Sequence, residues 1–515
     1  MPATLLAFMQ TSSKTFFALT LSLALLGSGC EPPAPKHNVL LVTLDTTRAD
    51  YLGCYGFDEA TPAIDTLASR GTRFDLAISS ASVTPVSHAT ILTGRSNRAH
   101  GLRVFAGPGG FVLPEGVPTL AEILRGEGYA TGAIHSAFPV SSYFQLDRGF
   151  EHFDDFDATI AATPDGVKRW SMKDFQRRSD ETTDRVLTYL AETADPFFLW
   201  VHYWDPHDAD LLPPDYALEY DENDRFRKGL YAEEVRYVDE QLGRVVAQLD
   251  ASGRSDSTII AIVADHGQGL GDHGWVGHRI LYQEQVRVPL VFVVPGIEQE
   301  LVVEELVRSM DIAPTIFDIL GLDAPAGTTG ASLRKLMTGK PEAPRLAFAD
   351  QINGFDENAS MVRKRPFDSF LYVAMDQRWK LTYRPTFLEG NELYDLESDP
   401  KELDNLFDKH PDIVLRLMKE LAFEDPWVTE AFERIDVEGR DVADGAMNDL
   451  GYSGEDEPEE DEEEPSTEAH FLGSWTDWVW LCPDPEHEAS NPGAVRGDLC
   501  KLCATPMIPR VPEAE

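Results

Sequence analysis

Val39-Leu40-Leu41-Val42-Thr43-Leu44 is an unbroken run of apolar and β-branched residues that stops at Asp45. A strand with one wet face alternates in polarity. This one does not, so both its faces are expected to be buried, as at the centre of a parallel sheet. Thr258-Ile259-Ile260-Ala261-Ile262-Val263-Ala264 repeats the pattern and stops at Asp265. Phe197-Phe198-Leu199-Trp200-Val201 leads straight to His202, and Leu290-Val291-Phe292-Val293-Val294 ends at Pro295-Gly296. Between these runs the periodicity is helical, most clearly at Tyr231, Val235, Val238, Leu242, Val245 and Leu249. Strands alternating with helices predict an α/β fold, a mostly parallel sheet covered by helices. Ligands of such sheets bind beyond the carboxyl ends of the strands, where Asp45 and Asp265 both fall.

Residues 38–338 are expected to form this main domain. A smaller C-terminal α+β subdomain follows over 339–450, with Trp379-Lys380-Leu381 and the turn-rich Leu393-Tyr394-Asp395-Leu396-Glu397-Ser398-Asp399-Pro400. Residues 451–466 are acidic and almost without apolar side chains, which predicts a disordered linker. Residues 467–515 form a Trp- and Cys-containing tail. The chain of 515 residues carries a formal charge of −44. Such a surface repels nucleic acid, and an anionic substrate needs local cations from a metal or a few basic side chains.

Residues 1–29 read as a signal peptide: Lys14, an apolar stretch from Phe16 to Leu26, then Gly27-Ser28-Gly29. The apolar run is too short to span a bilayer. Cys30 after small residues resembles a bacterial lipobox, which implies lipidation at Cys30 and a membrane-anchored, exported protein. Gly27 departs from that motif, and export without lipidation is the alternative. Residues 30–37, with Pro32, Pro33 and Pro35, form a stiff tether. Five cysteines are present, and no paired framework is visible among them.

Three segments are candidates for one site. Asp45 follows the first strand; Ser82 to Gly94 reads as a loop running into a helix; Asp265-His266-Gly267 and Gly277-His278 follow the strand ending at Ala264. Asp45, Asp265 and His266 supply two carboxylates and an imidazole, ligands suited to a divalent cation such as calcium, zinc or manganese. Thr84 offers a hydroxyl that a metal can activate as a nucleophile. His207 and His278 are candidates for substrate oxygens or a leaving group, with His88 a further catalytic candidate and His202 and Arg279 candidate substrate-binding residues. Taken singly, an aspartate after a strand is often a helix cap, and Thr84-Pro85 a turn. Their joint placement favours a site.

The segments also resemble a known family. Asn38 through Gly56, Thr84 to Gly94, Asp205-Pro206-His207, Asp265 to Tyr282, Arg287-Val288-Pro289, Pro295-Gly296, Asp311-Ile312-Ala313-Pro314-Thr315 and Leu393 to Pro400 look like the motifs of a sulfatase, in the family's order. The resemblance implies an alkaline-phosphatase-like fold and metal-dependent hydrolysis of an anionic ester. Sulfatases convert a Cys or Ser to formylglycine; the matching position here is Thr84, which that modification cannot use. Val86 and His88 stand where the family has Pro and Arg, Thr46 replaces a second aspartate, and His278 replaces a lysine. Asp45, Thr84, Asp265 and His266 are closer to the metal site of phosphoethanolamine transferases and lipoteichoic acid synthases. Sulfate-ester hydrolysis, phosphate-ester chemistry on Thr84, and a non-catalytic glycan-binding pseudo-sulfatase all stay open. In the tail, Cys482, Cys500 and Cys503 resemble a heavy-metal-binding ribbon, with His487 as a candidate fourth zinc ligand.

Overall fold

The computed structural model describes residues 36–104, 112–156, 175–207, 211–213, 227–297, 299–353, 364–385, 387–424, 479–481 and 508–510. Among these, nine strands form one sheet: β1 Asn38–Leu44, β2 Thr72–Ile78, β3 Ala130–His135, β4 His152–Asp154, β5 Phe197–Tyr203, β6 Thr258–Ala264, β7 Arg287–Val293, β8 Leu301–Val303 and β9 Val307–Arg308. The order is β4-β3-β5-β1-β6-β7-β2-β8, with β9 also beside β2. β1, β5 and β6 are buried at every residue, the consequence of their unbroken apolar runs in the middle of the sheet. Register places Leu44 between Tyr203 and Ala264, so Asp45 and Asp265 leave neighbouring parallel strands at the same level.

One strand departs from the parallel expectation. β7 runs antiparallel to both β6 and β2, so Pro295-Gly296 leaves at the edge opposite Asp45 and Asp265. A continuous apolar run reports burial on both faces; it carries no information about direction.

The helix Lys228–Ala251 buries Tyr231, Val235, Val238, Leu242, Val245 and Leu249, each worth about 1.5–3 kcal/mol of transfer free energy. It also contributes Asp239, whose two oxygens accept the N–H groups of Ala63 and Ile64 and so cap the Pro62–Ser69 helix from outside.

The C-terminal subdomain is an antiparallel meander of β10 Ala347–Gln351, β11 Leu371–Met375, β12 Trp379–Tyr383 and β13 Glu392–Asp395. Alternation divides its faces. Tyr372, Ala374, Leu381 and Leu393 pack with Val414, Leu417 and Leu421 of the helix Pro411–Glu424, while Val373, Met375 and Tyr394 pack on Ile280, Leu281 and Tyr282 of the main domain. Lys380, fully buried and paired with Glu402 at 2.7 Å, donates to the Leu281 carbonyl at 2.5 Å. The subdomain thereby grips the chain directly after Arg279.

In the tail, β14 Val479–Leu481 pairs antiparallel with β15 Ile508–Arg510, Leu481 facing Ile508. Cys482, His487, Cys500, Cys503 and the signal segment with Cys30 lie outside the described residues. No helix among the described residues is long and apolar enough to cross a membrane.

Candidate metal and nucleophile site

Asp45 continues the β1 ladder, its N–H bonded to Tyr203 O at 2.8 Å. The next residue, Thr46, takes a left-handed backbone (φ 48°), a costly conformation for a β-branched residue. It is held there from two sides. Its N–H donates to Asp265 Oδ1 at 3.1 Å, and its carbonyl accepts the Tyr231 hydroxyl at 2.6 Å. Asp265 Oδ1 also accepts the His266 N–H at 2.7 Å.

Those bonds leave Asp45 Oδ1 and Asp265 Oδ2 buried with no hydrogen-bond partner among the described residues. Burial raises the pKa of both carboxyls, and at Asp45 the neighbouring Asp265 raises it further. Buried acceptors are normally satisfied. A divalent cation would satisfy both oxygens and restore their ionisation. His266 completes the set. Its Nδ1 lies 3.0 Å from the Gly267 carbonyl, which fixes the proton there and turns a bare Nε2 toward the carboxylates. Burial depresses its pKa to about 4, so the ring is neutral. Ligand atoms of Asp45, Asp265 and His266 all lie within 4.8 Å of one another, and the donor set fits a calcium-, manganese- or zinc-like ion.

Thr84 opens the helix Thr84–Thr93, after Val83 in extended conformation and with Pro85 in the first turn, where no N–H partner is needed. Its Oγ1 lies 3.4 Å from His266 Nε2. All ten residues of this helix are buried, and its N-terminus turns positive dipole and hydroxyl to the same place.

Two expected site residues do a different job from the one their sequence position suggested. His88 was a catalytic candidate. Its Nδ1 lies 2.8 Å from Thr84 O and 3.7 Å from Asp265 Oδ2, and its Nε2 lies 3.0 Å from Thr43 Oγ1. Thr43 Oγ1 in turn accepts Trp200 Nε1–H at 2.9 Å. The ring is fully buried, its pKa pushed down to about 3 by burial, and both nitrogens are engaged. It ties the nucleophile helix to β1. His202 was a substrate-binding candidate. β5 runs two residues further than the apolar run, so His202 is inside the strand, fully buried, with Nε2 on Asp45 Oδ2 at 3.2 Å. Its Nδ1 accepts the Ser136 N–H, which leaves Nε2 as the donor that orients Asp45.

His207, His278 and Arg279 gather on the other side of His266. His207 stacks on Trp204 at 3.8 Å, and its Nε2 meets His278 Nε2 at 3.3 Å. His278 stacks on His266 at 4.7 Å and donates Nδ1–H to Ser82 O at 2.8 Å. Arg279 adopts φ 79° and is 4 % exposed. Ser82 Oγ accepts its N–H, and Asn353 Nδ2 donates to its carbonyl at 3.0 Å. Its positive charge lowers the pKa of His207, His266 and His278, after burial, the larger cause. Sequence reasoning did not name Tyr231, Ser82, Trp204 or Asn353 as site residues. Tyr231 was read only as one apolar position of a helix, and the others carry no periodic signal.

A nine-stranded, mostly parallel sheet with this order is the alkaline-phosphatase-like architecture. The sulfatase family pattern matches residues 37–322 and that of the N-sulphoglucosamine sulphohydrolase C-terminal region matches 271–424; the chain belongs to the sulfatase family. It is 27 % identical to an arylsulfatase of Clostridium perfringens, over 72 % of this chain and 90 % of that protein. It is 25 % identical to a Δ4,5-hexuronate-2-O-sulfatase of Bacteroides thetaiotaomicron, over 80 % and 92 %. A phosphonate monoester hydrolase from Silicibacter pomeroyi shares the fold at a TM-score of 0.61 and 22 % identity, covering 76 % of this chain and 95 % of that one.

Proposed function

We propose that this protein is a metal-dependent hydrolase of anionic esters, sulfate esters first, with Thr84 as its nucleophile. One observation carries the reading: the Thr84 hydroxyl stands 3.4 Å from His266 Nε2, beside two buried carboxylate oxygens without partners. Asp45, Asp265 and His266 would hold the ion. A divalent cation there lowers the pKa of a neighbouring hydroxyl and neutralises charge on the transferred group. Thr84 Oγ1 attacks the ester's central atom, with the helix N-terminus favouring its negative oxygens. Arg279 binds those oxygens, and His207 and His278 handle the leaving oxygen. His88 and His202 orient Thr84 and Asp45.

The relatives named as sulfatases support the sulfate ester. Thr84 favours a second reading, phosphate-ester chemistry: as a secondary alcohol, its oxidation would yield a ketone, so it gives no formylglycine aldehyde. Purified protein would be assayed on an aryl sulfate, a phosphate monoester and a phosphodiester, with calcium, zinc and manganese varied. Metal-dependent turnover of one class, absent in Thr84→Ala, supports the reading. A folded, metal-loaded parent inert on all three refutes it and leaves the glycan-binding pseudo-sulfatase. We further propose export with a lipid anchor at Cys30, and a zinc ribbon formed by Cys482, His487, Cys500 and Cys503.

A further inference from the structure

We infer that His207 and His278 form a second cation site, suited to zinc, next to the one made by Asp45, Asp265 and His266. The inference rests on the proposed reading of the Thr84 site and adds a second ion to it. It begins with one distance. His207 Nε2 and His278 Nε2 face each other at 3.3 Å. Zinc binds imidazole nitrogen at about 2.0–2.1 Å, and two such bonds at a tetrahedral angle set the nitrogens about 3.3–3.4 Å apart. A hydrogen bond between the rings would be long, since N–H donors normally sit about 2.7–3.2 Å from their acceptors.

The ring orientations agree. His278 Nδ1 points at the Ser82 carbonyl at 2.8 Å, so it carries the proton and leaves Nε2 as a lone pair toward His207. A second-sphere carbonyl on the far nitrogen is how metal-binding histidines are commonly held. His207 is fixed by its stack on Trp204 at 3.8 Å and 18°. Neither ring has freedom to turn away. Ser82 also accepts the Arg279 N–H on its hydroxyl, so one serine sets both the histidine and the arginine.

Position gives the pair its use. His278 stacks on His266, whose Nε2 lies 3.4 Å from Thr84 Oγ1. An ion on the pair would therefore border the nucleophile from the side opposite the carboxylates, where a leaving oxygen develops charge. Two imidazoles beside the Arg279 cation form a weaker site than two carboxylates and an imidazole. The second ion should bind less tightly, and more tightly when an anion is present to bridge it.

The test is a zinc titration of metal-depleted full-length protein carrying Cys500→Ser and Cys503→Ser, which silences the tail. With inorganic sulfate or phosphate present, the chain should take up about two zinc ions, the second more weakly. His278→Lys and His207→Asn should each reduce this to about one, and Asp265→Asn should remove the tighter ion instead. Cobalt in place of zinc should give a second visible-band signal in the parent that both histidine variants lack. One ion in the parent, unchanged in a folded His278→Lys or His207→Asn, overturns the second site and leaves the first intact. A parent that binds none overturns the metal-dependent reading as well. Circular dichroism on each variant identifies any that fails to fold, and either histidine variant suffices.

Discussion

Substituting His202 separates substrate contact from ligand orientation, the two roles open to a histidine next to a carboxylate. Its Nε2–H donates to Asp45 Oδ2 at 3.2 Å, and its Nδ1 accepts the Ser136 N–H. His202→Ala leaves Asp45 Oδ2 as a second unsatisfied oxygen on an already buried carboxylate. Stranding a buried acceptor costs about 1–3 kcal/mol. Losing the hydrogen bond that orients a metal ligand weakens metal binding about 10–100-fold, or roughly 1.4–2.7 kcal/mol. The two estimates describe the same loss and agree in size. Metal affinity, measured by competition with a chelating dye, should fall by that factor, and activity should return at high metal concentration. KM at saturating metal should stay near the parental value, because the fully buried ring touches no ester. His202→Gln, which keeps a donor near the same place, should recover part of the affinity. A folded His202→Ala protein with parental metal affinity and a raised KM would refute the orienting role and return His202 to the substrate.

Thr84→Ala should lower turnover by at least about 10³-fold with metal content intact, while Thr84→Ser keeps part of the activity. Parental rates in metal-loaded Thr84→Ala would point to direct attack by water. His100 is buried, bonded to Thr90 Oγ1, and its pKa is pushed down to about 3 by burial. A depressed histidine contributes stability that is present above about pH 6.5 and lost as pH falls toward 3. His100→Gln should therefore shed about 2 kcal/mol less than the parent between pH 7 and pH 5, read as melting temperatures across that range. Cys30→Ser should move the protein from the membrane to the soluble fraction; equal partitioning would end the anchor proposal. A chain with Cys500→Ser should hold about one zinc fewer than the parent if the tail binds metal through thiolates, and as much if it does not.

The central strands were legible in sequence because a strand buried on both faces announces itself with an unbroken apolar run. β1 and β6 match their runs, and β5 only extends past its own to Tyr203. β2 and β3 were not read as strands. Thr72-Arg73-Phe74-Asp75-Leu76-Ala77-Ile78 mixes charges into a half-buried edge. β3 is Ala-Thr-Gly-Ala-Ile-His, with little β propensity. Its Gly132 is dictated from far away: a Cβ there would strike the Tyr189 ring. A contact between residues so distant in the chain leaves no local pattern. The direction of β7 was illegible for the same kind of reason, since direction is settled by connection and neighbour.

The site divides along a similar line. Residues at strand ends and at the start of the Thr84 helix could be nominated because the topology of an α/β sheet says where to look. Their division of labour could not, because it depends on which nitrogen meets which oxygen. His88 and His202 sit among the same groups as His266, yet their ring nitrogens are engaged by Thr84 O, Thr43, Asp45 and Ser136, whereas His266 Nε2 faces carboxylates and hydroxyl. The strained residues carry the same lesson. Thr46 and Arg279 both hold left-handed backbones that cost about 1–3 kcal/mol each, and each is held by donors or acceptors from remote segments: Tyr231 and Asp265 for the first, Ser82 and Asn353 for the second. Such strain persists only where the surroundings over-determine it. Here it flanks the buried carboxylates on one side and the histidine pair on the other. The fold holds this pocket in one geometry before any ester arrives, as a site that stabilises developing charge through fixed groups requires.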